Sequence, residues 1–149
     1  MTGVLRDHGI VPAMKAIAQL RLLPIALVAV VALGGCGGSS TAAIELVAPL
    51  GAAQVLEERA ADVVLLDVRT AEEFNEVRVP GSVNVDFYAA DFAAQLDRLS
   101  KDVPYVVYCR SGNRSAQTMD IMSDLGFSEV FEVAGGIIAW NEAGLPLEN

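Results

Sequence analysis

The stretch YVVYCRSGNRS, residues 105–115, decides the fold of this chain. Its first four residues are apolar and favour β structure, which predicts a short buried strand that ends at Cys109. A polar loop containing Gly112 follows, and apolar residues then recur at helical spacing at Ala116, Met119 and Met122. The sequence therefore predicts a strand, a loop and a helix, with Cys109 at the end of the strand.

A thiol at the position of Cys109 has altered chemistry. The first turn of a helix carries N–H groups without intrahelical partners and the positive end of the helix dipole, which favour a thiolate over a thiol. Neighbouring arginines, here Arg110 and Arg114, also lower the pKa of a cysteine. Gly112 can adopt a positive φ and let the loop amides converge on one point. We therefore predict a nucleophilic thiolate at Cys109, the alternative being an inert buried cysteine.

The chain from residue 44 onward alternates strands and helices. Residues 63–68 are apolar except for Asp67, a pattern typical of a strand buried on both faces. Thr70 and Glu73 have the spacing of a helix capping box. Further strands are predicted at 44–48, 83–85 and 130–133, and further helices at 54–60, 91–99 and 137–143. This alternation predicts a three-layer α/β/α fold around a five-stranded parallel sheet.

Five motifs in order along the chain resemble those of the rhodanese-type sulfurtransferases. They are Leu66-Asp67-Val68-Arg69 with Glu72-Glu73-Phe74, Val79-Pro80-Gly81-Ser82-Val83-Asn84, the loop from Cys109 to Ser115, Ala134-Gly135-Gly136 with Trp140, and Gly144-Leu145-Pro146. The resemblance covers residues 44–146 and implies the rhodanese-like fold, with strands in the spatial order 3-2-4-5-1. Strands 2 and 4 are then neighbours, and a ligand is expected beyond their carboxyl ends, at Arg69 and Cys109.

The resemblance also implies a reaction. The Cys109 thiolate would take the sulfane sulfur of a small anionic donor such as thiosulfate, hold it as a persulfide, and pass it to a thiol, a cyanide-like molecule or an acceptor protein. The loop would bind the anion mainly through backbone N–H groups. Its residues are Arg110, Ser111, Gly112, Asn113, Arg114 and Ser115.

Other motif residues are expected to support the loop. Asp67 and Arg69 are predicted to form an ion pair that braces it, and Gly135, Gly136 and Trp140 to act in turns and packing. Ser115 would either hydrogen-bond the sulfur or only begin the helix. Family members commonly carry Gly-His before the Pro-Gly turn, where this chain has Val77-Arg78, a departure that concerns local packing and specificity.

No cofactor and no metal are expected. The chain has two cysteines, Cys36 and Cys109, and its one histidine, His8, lies outside the predicted domain. These residues are too few to form a site of soft metal ligands. The persulfide reaction needs no imidazole base, because the attacking thiolate is already ionised.

Two alternative functions use the same scaffold. A phosphatase or arsenate reductase of the tyrosine-phosphatase type needs five residues between cysteine and arginine, whereas four separate Cys109 from Arg114. The other alternative is a non-catalytic module that senses sulfur or oxidants, or binds a partner. Such rhodanese-like modules usually lose the cysteine, which this chain retains.

The first 43 residues indicate an anchor and a linker. An apolar run at 22–33 follows Lys15 and Arg21, which is typical of a signal peptide and too short to span a bilayer. Leu33-Gly34-Gly35-Cys36 resembles the lipobox of bacterial lipoproteins, which implies a lipid-modified Cys36. We therefore expect a signal peptide at 1–35, starting at Met1 or Met14, a linker at 36–43 and the domain at 44–149, lipid-anchored outside the cytoplasm in the bacterial cell envelope.

The charge of the predicted domain limits its partners. Three of the 10 basic residues and one of the 19 acidic residues lie in the first 35, so the remainder has a net charge of about −11. An acidic surface without basic clusters argues against nucleic acid and anionic lipid surfaces as partners. The membrane would therefore be contacted through the lipid anchor alone.

Overall fold

The computed structural model describes residues 43–149. Five strands and five helices alternate along this part of the chain. They are β1 (Ala43–Val47), α1 (Pro49–Glu58), β2 (Val64–Asp67), α2 (Ala71–Glu76), β3 (Val83–Asn84), α3 (Phe92–Asp97), β4 (Tyr105–Tyr108), α4 (Asn113–Asp124), β5 (Glu129–Val133) and α5 (Gly136–Glu142).

The strands form one sheet in the order β1-β5-β4-β2-β3, and all four pairings are parallel. Read from the other edge, this is the expected order 3-2-4-5-1, so the predicted fold class is confirmed. β2 and β4 are neighbours, with Asp67 opposite Tyr108. The loops that follow these two strands therefore begin side by side at the carboxyl edge of the sheet.

Helices cover both faces of the sheet. On one face, side chains of α3 and α4, such as Leu96 and Met122, pack on Leu66 and Val107 of the strands. On the opposite face, α1 and α5 supply the second part of the core, which includes Ala52, Ile137, Trp140, Val106 and Val133. β4 is buried along its whole length, as the apolar run at 105–108 predicts.

The observed start of the first helix differs from the predicted one. The sequence predicts this helix at 54–60, but it begins at Pro49, and Ala48 alone separates it from β1. Proline ends a strand, yet its fixed φ also suits the first position of a helix, where no N–H is needed.

The capping box at Thr70 is confirmed: the Glu73 N–H donates to Thr70 Oγ1 at 3.3 Å, and the Thr70 N–H donates to Glu73 Oε2 at 3.1 Å.

The predictions for the N-terminal segment lie outside the described residues. They are the signal peptide at 1–35, the start at Met1 or Met14, the lipid-modified Cys36 and nearly all of the linker. Within residues 43–149, none of the helices combines the length and the apolar character required to cross a membrane.

Candidate active site

The loop after β4 turns sharply into α4. Gly112 caps the N-terminus of the helix with φ of 100°, so the predicted positive φ is confirmed. Most residues avoid this backbone conformation, but glycine adopts it readily. Cys109 is the first residue after the strand, and the turn brings the start of α4 back over its side chain.

The Cys109 sulfur lies inside this turn. Its Sγ accepts a hydrogen bond from the Gly112 N–H at 3.1 Å and one from Ser115 Oγ at 3.4 Å. Burial by itself would raise the pKa of the thiol. The Ser115 hydroxyl, together with the backbone N–H groups of Ser115, Ser111 and Gly112, outweighs that effect, so the pKa of Cys109 lies below its ordinary value. The loop therefore favours a thiolate without any imidazole.

Helix α5 holds the loop from the opposite side. The Ile137 N–H donates to the Cys109 carbonyl at 2.9 Å, and the Ile138 N–H donates to the Arg110 carbonyl at 3.2 Å. Gly136 lies so close to the Cys109–Arg110 peptide that a Cβ there would overlap the carbonyl oxygens of both residues. Because the loop carbonyls are bound on this side, the loop N–H groups remain free to face the sulfur. The sequence identified Gly136 as a packing residue but not its contact with the loop.

Arg114 is engaged by the acidic residue of the capping box. Its guanidinium donates to both carboxylate oxygens of Glu73, at 2.6 and 2.9 Å, and lies over the Tyr88 ring, 5.6 Å from its centroid. The Arg114 hydrogen bonds lower the pKa of Glu73 to about 2. Arg114 therefore links α2 to the first turn of α4 and places a fixed positive charge near the sulfur.

Arg110 is exposed and, among the described residues, has no hydrogen bond or ion pair through its side chain. It lines a cavity of about 260 Å³ beside the loop, together with Arg69, Glu73, Glu76, Val77, Ile137 and Ile138. Ser111 and Asn113 are also exposed on the loop. Arg110 is thus the arginine of the pair that is available to meet an incoming anion.

Asp67 and Arg69 form a buried ion pair in the turn after β2. Arg69 Nη2 donates to Asp67 Oδ2 at 2.6 Å and to the Val77 carbonyl at 2.7 Å. Its guanidinium also lies over the Tyr108 ring, 5.5 Å from the centroid. The pair connects β2, β4 and the segment before the Pro-Gly turn, so it stabilises the strand ends that carry the site.

Arg78, one of the two residues at which this chain departs from the family motif, and Trp140 both make structural contacts. Arg78 ion-pairs with Glu148 at 2.9 Å and covers the Phe74 ring, which ties the C-terminal residues to the segment after α2. Trp140 is buried in the core and donates from Nε1 to the Pro146 carbonyl at 3.0 Å. Both residues have packing contacts and neither contacts Sγ.

Glu132 reaches the loop from β5, and sequence reasoning missed it. Its Oε1 lies 2.7 Å from Ser115 Oγ, and a Cβ added at Gly112 would lie 3.9 Å from the same oxygen. An acidic residue within the apolar run at 130–133 is a signal that could have identified it. Residues 43–149 hold no group of three or more histidine, cysteine or acidic side chains suited to bind a metal ion.

Comparison with known proteins identifies the family. The rhodanese-like domain family matches residues 51–143. Over 89 residues the chain is 42% identical to thiosulfate sulfurtransferase GlpE of Pseudomonas savastanoi pv. phaseolicola, covering 59% of this chain and 79% of that protein.

Two solved structures are similar along most of the described residues. The crystal structure of a rhodanese-related protein from Thermoplasma volcanium has a TM-score of 0.57 and 31% identity, covering 72% of this chain and 97% of that one. A Rhodopseudomonas palustris protein of unknown function, described as a possible tyrosine phosphatase, has a TM-score of 0.61 and 31% identity over 70% of this chain and 85% of its own. The chain therefore belongs to the rhodanese-like domain family, as an enzyme of the rhodanese sulfurtransferase type.

Proposed function

We propose that this protein transfers a sulfane sulfur through a persulfide on Cys109, with thiosulfate as a donor. The observation that carries the proposal is the position of Sγ, which accepts hydrogen bonds from the Gly112 N–H at 3.1 Å and from Ser115 Oγ at 3.4 Å. These donors favour the thiolate over the thiol, and a thiolate is the nucleophilic form of cysteine.

In the first step the Cys109 thiolate attacks the outer sulfur of thiosulfate. A bond forms between Sγ and that sulfur, the sulfur–sulfur bond of thiosulfate breaks, and its electron pair leaves with sulfite. The terminal sulfur of the persulfide then carries the negative charge, and the loop N–H groups are oriented to stabilise it. Arg110, exposed beside the loop, is suited to attract the dianionic donor against the acidic surface of the domain.

In the second step an acceptor nucleophile, such as a thiol or cyanide, attacks the terminal sulfur. The bond between that sulfur and Sγ breaks, and its electron pair returns to Sγ as the thiolate. Sulfur enters and leaves in separate steps, so we expect ping-pong kinetics.

Mass spectrometry of the full chain tests the persulfide. Incubation with thiosulfate should add the mass of one sulfur atom to a peptide that contains Cys109, and the Cys109→Ser variant should show no gain. Cys36→Ala is the matched control, because it removes the other cysteine and should keep the gain. Absence of the added sulfur in both the wild type and Cys36→Ala, with thiosulfate and other sulfane donors, would refute the proposal.

We also propose that Cys36 carries a lipid that anchors the domain outside the cytoplasm of the bacterial cell. The support comes from the sequence: an apolar run at 22–33, the Leu33-Gly34-Gly35-Cys36 motif and a linker rich in glycine and serine. Cells grown with labelled palmitate should yield a labelled protein. The Cys36→Ala variant should lose the label and Cys109→Ser should keep it; label retained by Cys36→Ala contradicts the anchor.

A further inference from the structure

Glu132 is a buried carboxyl group beside the reactive sulfur, and the reaction above does not use it. The residue is 8% exposed and faces the α4 side of the sheet, paired in register with Val107 of β4. Among residues 43–149, the hydrogen-bond partner of its carboxyl group is Ser115 Oγ, at 2.7 Å. A buried carboxylate without a cation is costly, whereas the protonated acid is tolerated and can donate a hydrogen bond.

The strand β5, which carries Glu132, packs against β1, α1, β4, α4 and α5. Within residues 43–149, none of the charged and titratable groups on these elements makes a hydrogen bond or an ion pair with Glu132. They are Glu45, Glu57, Glu58, Tyr105, Tyr108, Arg114, Asp120, Asp124 and Glu142. Arg114, the one cation among them, is engaged by Glu73. Burial raises the pKa of Glu132, which the Ser115 hydrogen bond only partly opposes.

Ser115 has one hydroxyl proton and three neighbouring acceptors. Its Oγ lies 2.7 Å from Glu132 Oε1, 3.1 Å from the Gly112 carbonyl and 3.4 Å from Cys109 Sγ. An ionised Glu132 is the closest acceptor and takes this proton, which leaves the sulfur without it. A protonated Glu132 instead donates to Ser115 Oγ and leaves the Ser115 proton free to point at Sγ.

We propose that Glu132 is a positioning residue for the Cys109 thiolate: its protonated carboxyl donates to Ser115 Oγ, and Ser115 donates to Sγ. The thiolate forms by a relay in which Sγ–H gives its proton to Ser115 Oγ and the hydroxyl gives its own proton to Glu132 Oε1. The sulfur keeps the electron pair, and no other reactant is needed. The site thus contains its own proton acceptor in a domain without histidine.

The inference rests on the proposed role of Cys109, but its test measures only the protonation of the Glu132 carboxyl group. Infrared spectra of the full chain should show the C=O stretching band of a protonated carboxyl group at neutral pH. The band should be absent in Glu132→Gln. It should persist in Glu129→Gln, a matched change on the same strand at a residue that pairs with Arg59 at the surface.

Removing the thiol should alter the titration of that band. In the wild type a thiolate next to Glu132 opposes its ionisation, so the pH at which the band disappears should fall by about one unit or more in Cys109→Ser. In a Ser115→Ala background the same change at Cys109 should move the midpoint much less, because the hydroxyl that couples the two groups is gone.

Three results overturn the inference: no carboxyl band at neutral pH, the same midpoint in the wild type and Cys109→Ser, or a full shift that persists without the Ser115 hydroxyl. The comparison with Cys109→Ser decides even if Glu132→Gln does not fold. A carboxyl shift without persulfide formation would overturn the proposed sulfur transfer alone. A persulfide without the shift would overturn the role of Glu132 alone.

Discussion

Replacing Gly136 by alanine tests whether the reactive loop depends on its contact with α5. Gly136 has φ of 59°, and a Cβ would lie 2.7 Å from the Arg110 carbonyl carbon, 2.8 Å from its oxygen, and closer still to the Cys109 oxygen. All three atoms belong to the backbone and cannot rotate away. A left-handed conformation costs an L-residue about 1–2 kcal/mol, and overpacking adds about 1–3 kcal/mol. We therefore expect a loss of about 2–5 kcal/mol in the free energy of unfolding.

Gly144→Ala is the matched control at the other end of α5. Gly144 has φ of 71°, but a Cβ there would have no neighbour within 4 Å, so only the conformational part of the loss, about 1–2 kcal/mol, should remain. Urea unfolding measures both losses. The pH dependence of alkylation at Cys109, read by mass spectrometry, should shift upward in Gly136→Ala alone, because a displaced loop moves the Gly112 N–H from its 3.1 Å contact with Sγ. Equal unfolding losses and equal alkylation midpoints in the two variants would refute the reasoning.

Three further predictions concern the supports of the site. Glu73→Gln should lower the free energy of unfolding by about 1–2 kcal/mol near neutral pH, because the pKa of Glu73 in the folded state, about 2, lies below its ordinary value of 4.5. This stabilisation is present above pH 4.5 and disappears as the pH falls toward 2. Urea unfolding curves of the variant and the wild type should therefore converge in acid. Ser115→Ala should raise the alkylation midpoint of Cys109 by about one pH unit, because a donor to the thiolate is lost, and an unchanged midpoint contradicts this role. Asp67→Asn should cost about 3–5 kcal/mol in urea unfolding, because it leaves the Arg69 charge buried without its carboxylate; a loss below about 1 kcal/mol would be evidence against the brace.

The sheet and the reactive loop could be predicted because their signals are local. Four consecutive apolar residues define β4, and the Cys109 loop changes abruptly to polar residues with Gly112 at the turn. The predicted start of the first helix at residue 54 was wrong, because a proline can mark two different places in a fold. Proline can follow a strand and can also begin a helix; here Pro49 begins α1, whose Ala52 packs in the core.

The contacts made by Gly136 and Glu132 could not be predicted from the sequence, because they depend on how separate helices and strands pack together. Gly136 meets the Cys109–Arg110 peptide only because β5 lies beside β4, which brings the start of α5 under the loop. Glu132 faces the α4 side because its neighbours Phe131 and Val133 face the other. The family motif predicts a glycine at this place, but not the backbone that the glycine accommodates.

The geometry of the two arginines bears on which anion the loop accepts. In a phosphatase of the cysteine type, the arginine after the loop must reach around a tetrahedral oxyanion. Here Arg114 follows Cys109 after only four residues, and its two terminal nitrogens, Nη1 and Nη2, donate to the Glu73 carboxylate at 2.6 and 2.9 Å. Breaking that pair to bind a phosphoryl group would leave the Glu73 carboxylate without its partner. The sulfur is instead stabilised by the Gly112 N–H and the Ser115 hydroxyl, groups that suit a single sulfur atom, while the exposed Arg110 can meet the departing sulfite. The arrangement therefore favours sulfur transfer over phosphate hydrolysis, because the Arg114 guanidinium that would complete an oxyanion site is ion-paired with Glu73 and links α2 to α4.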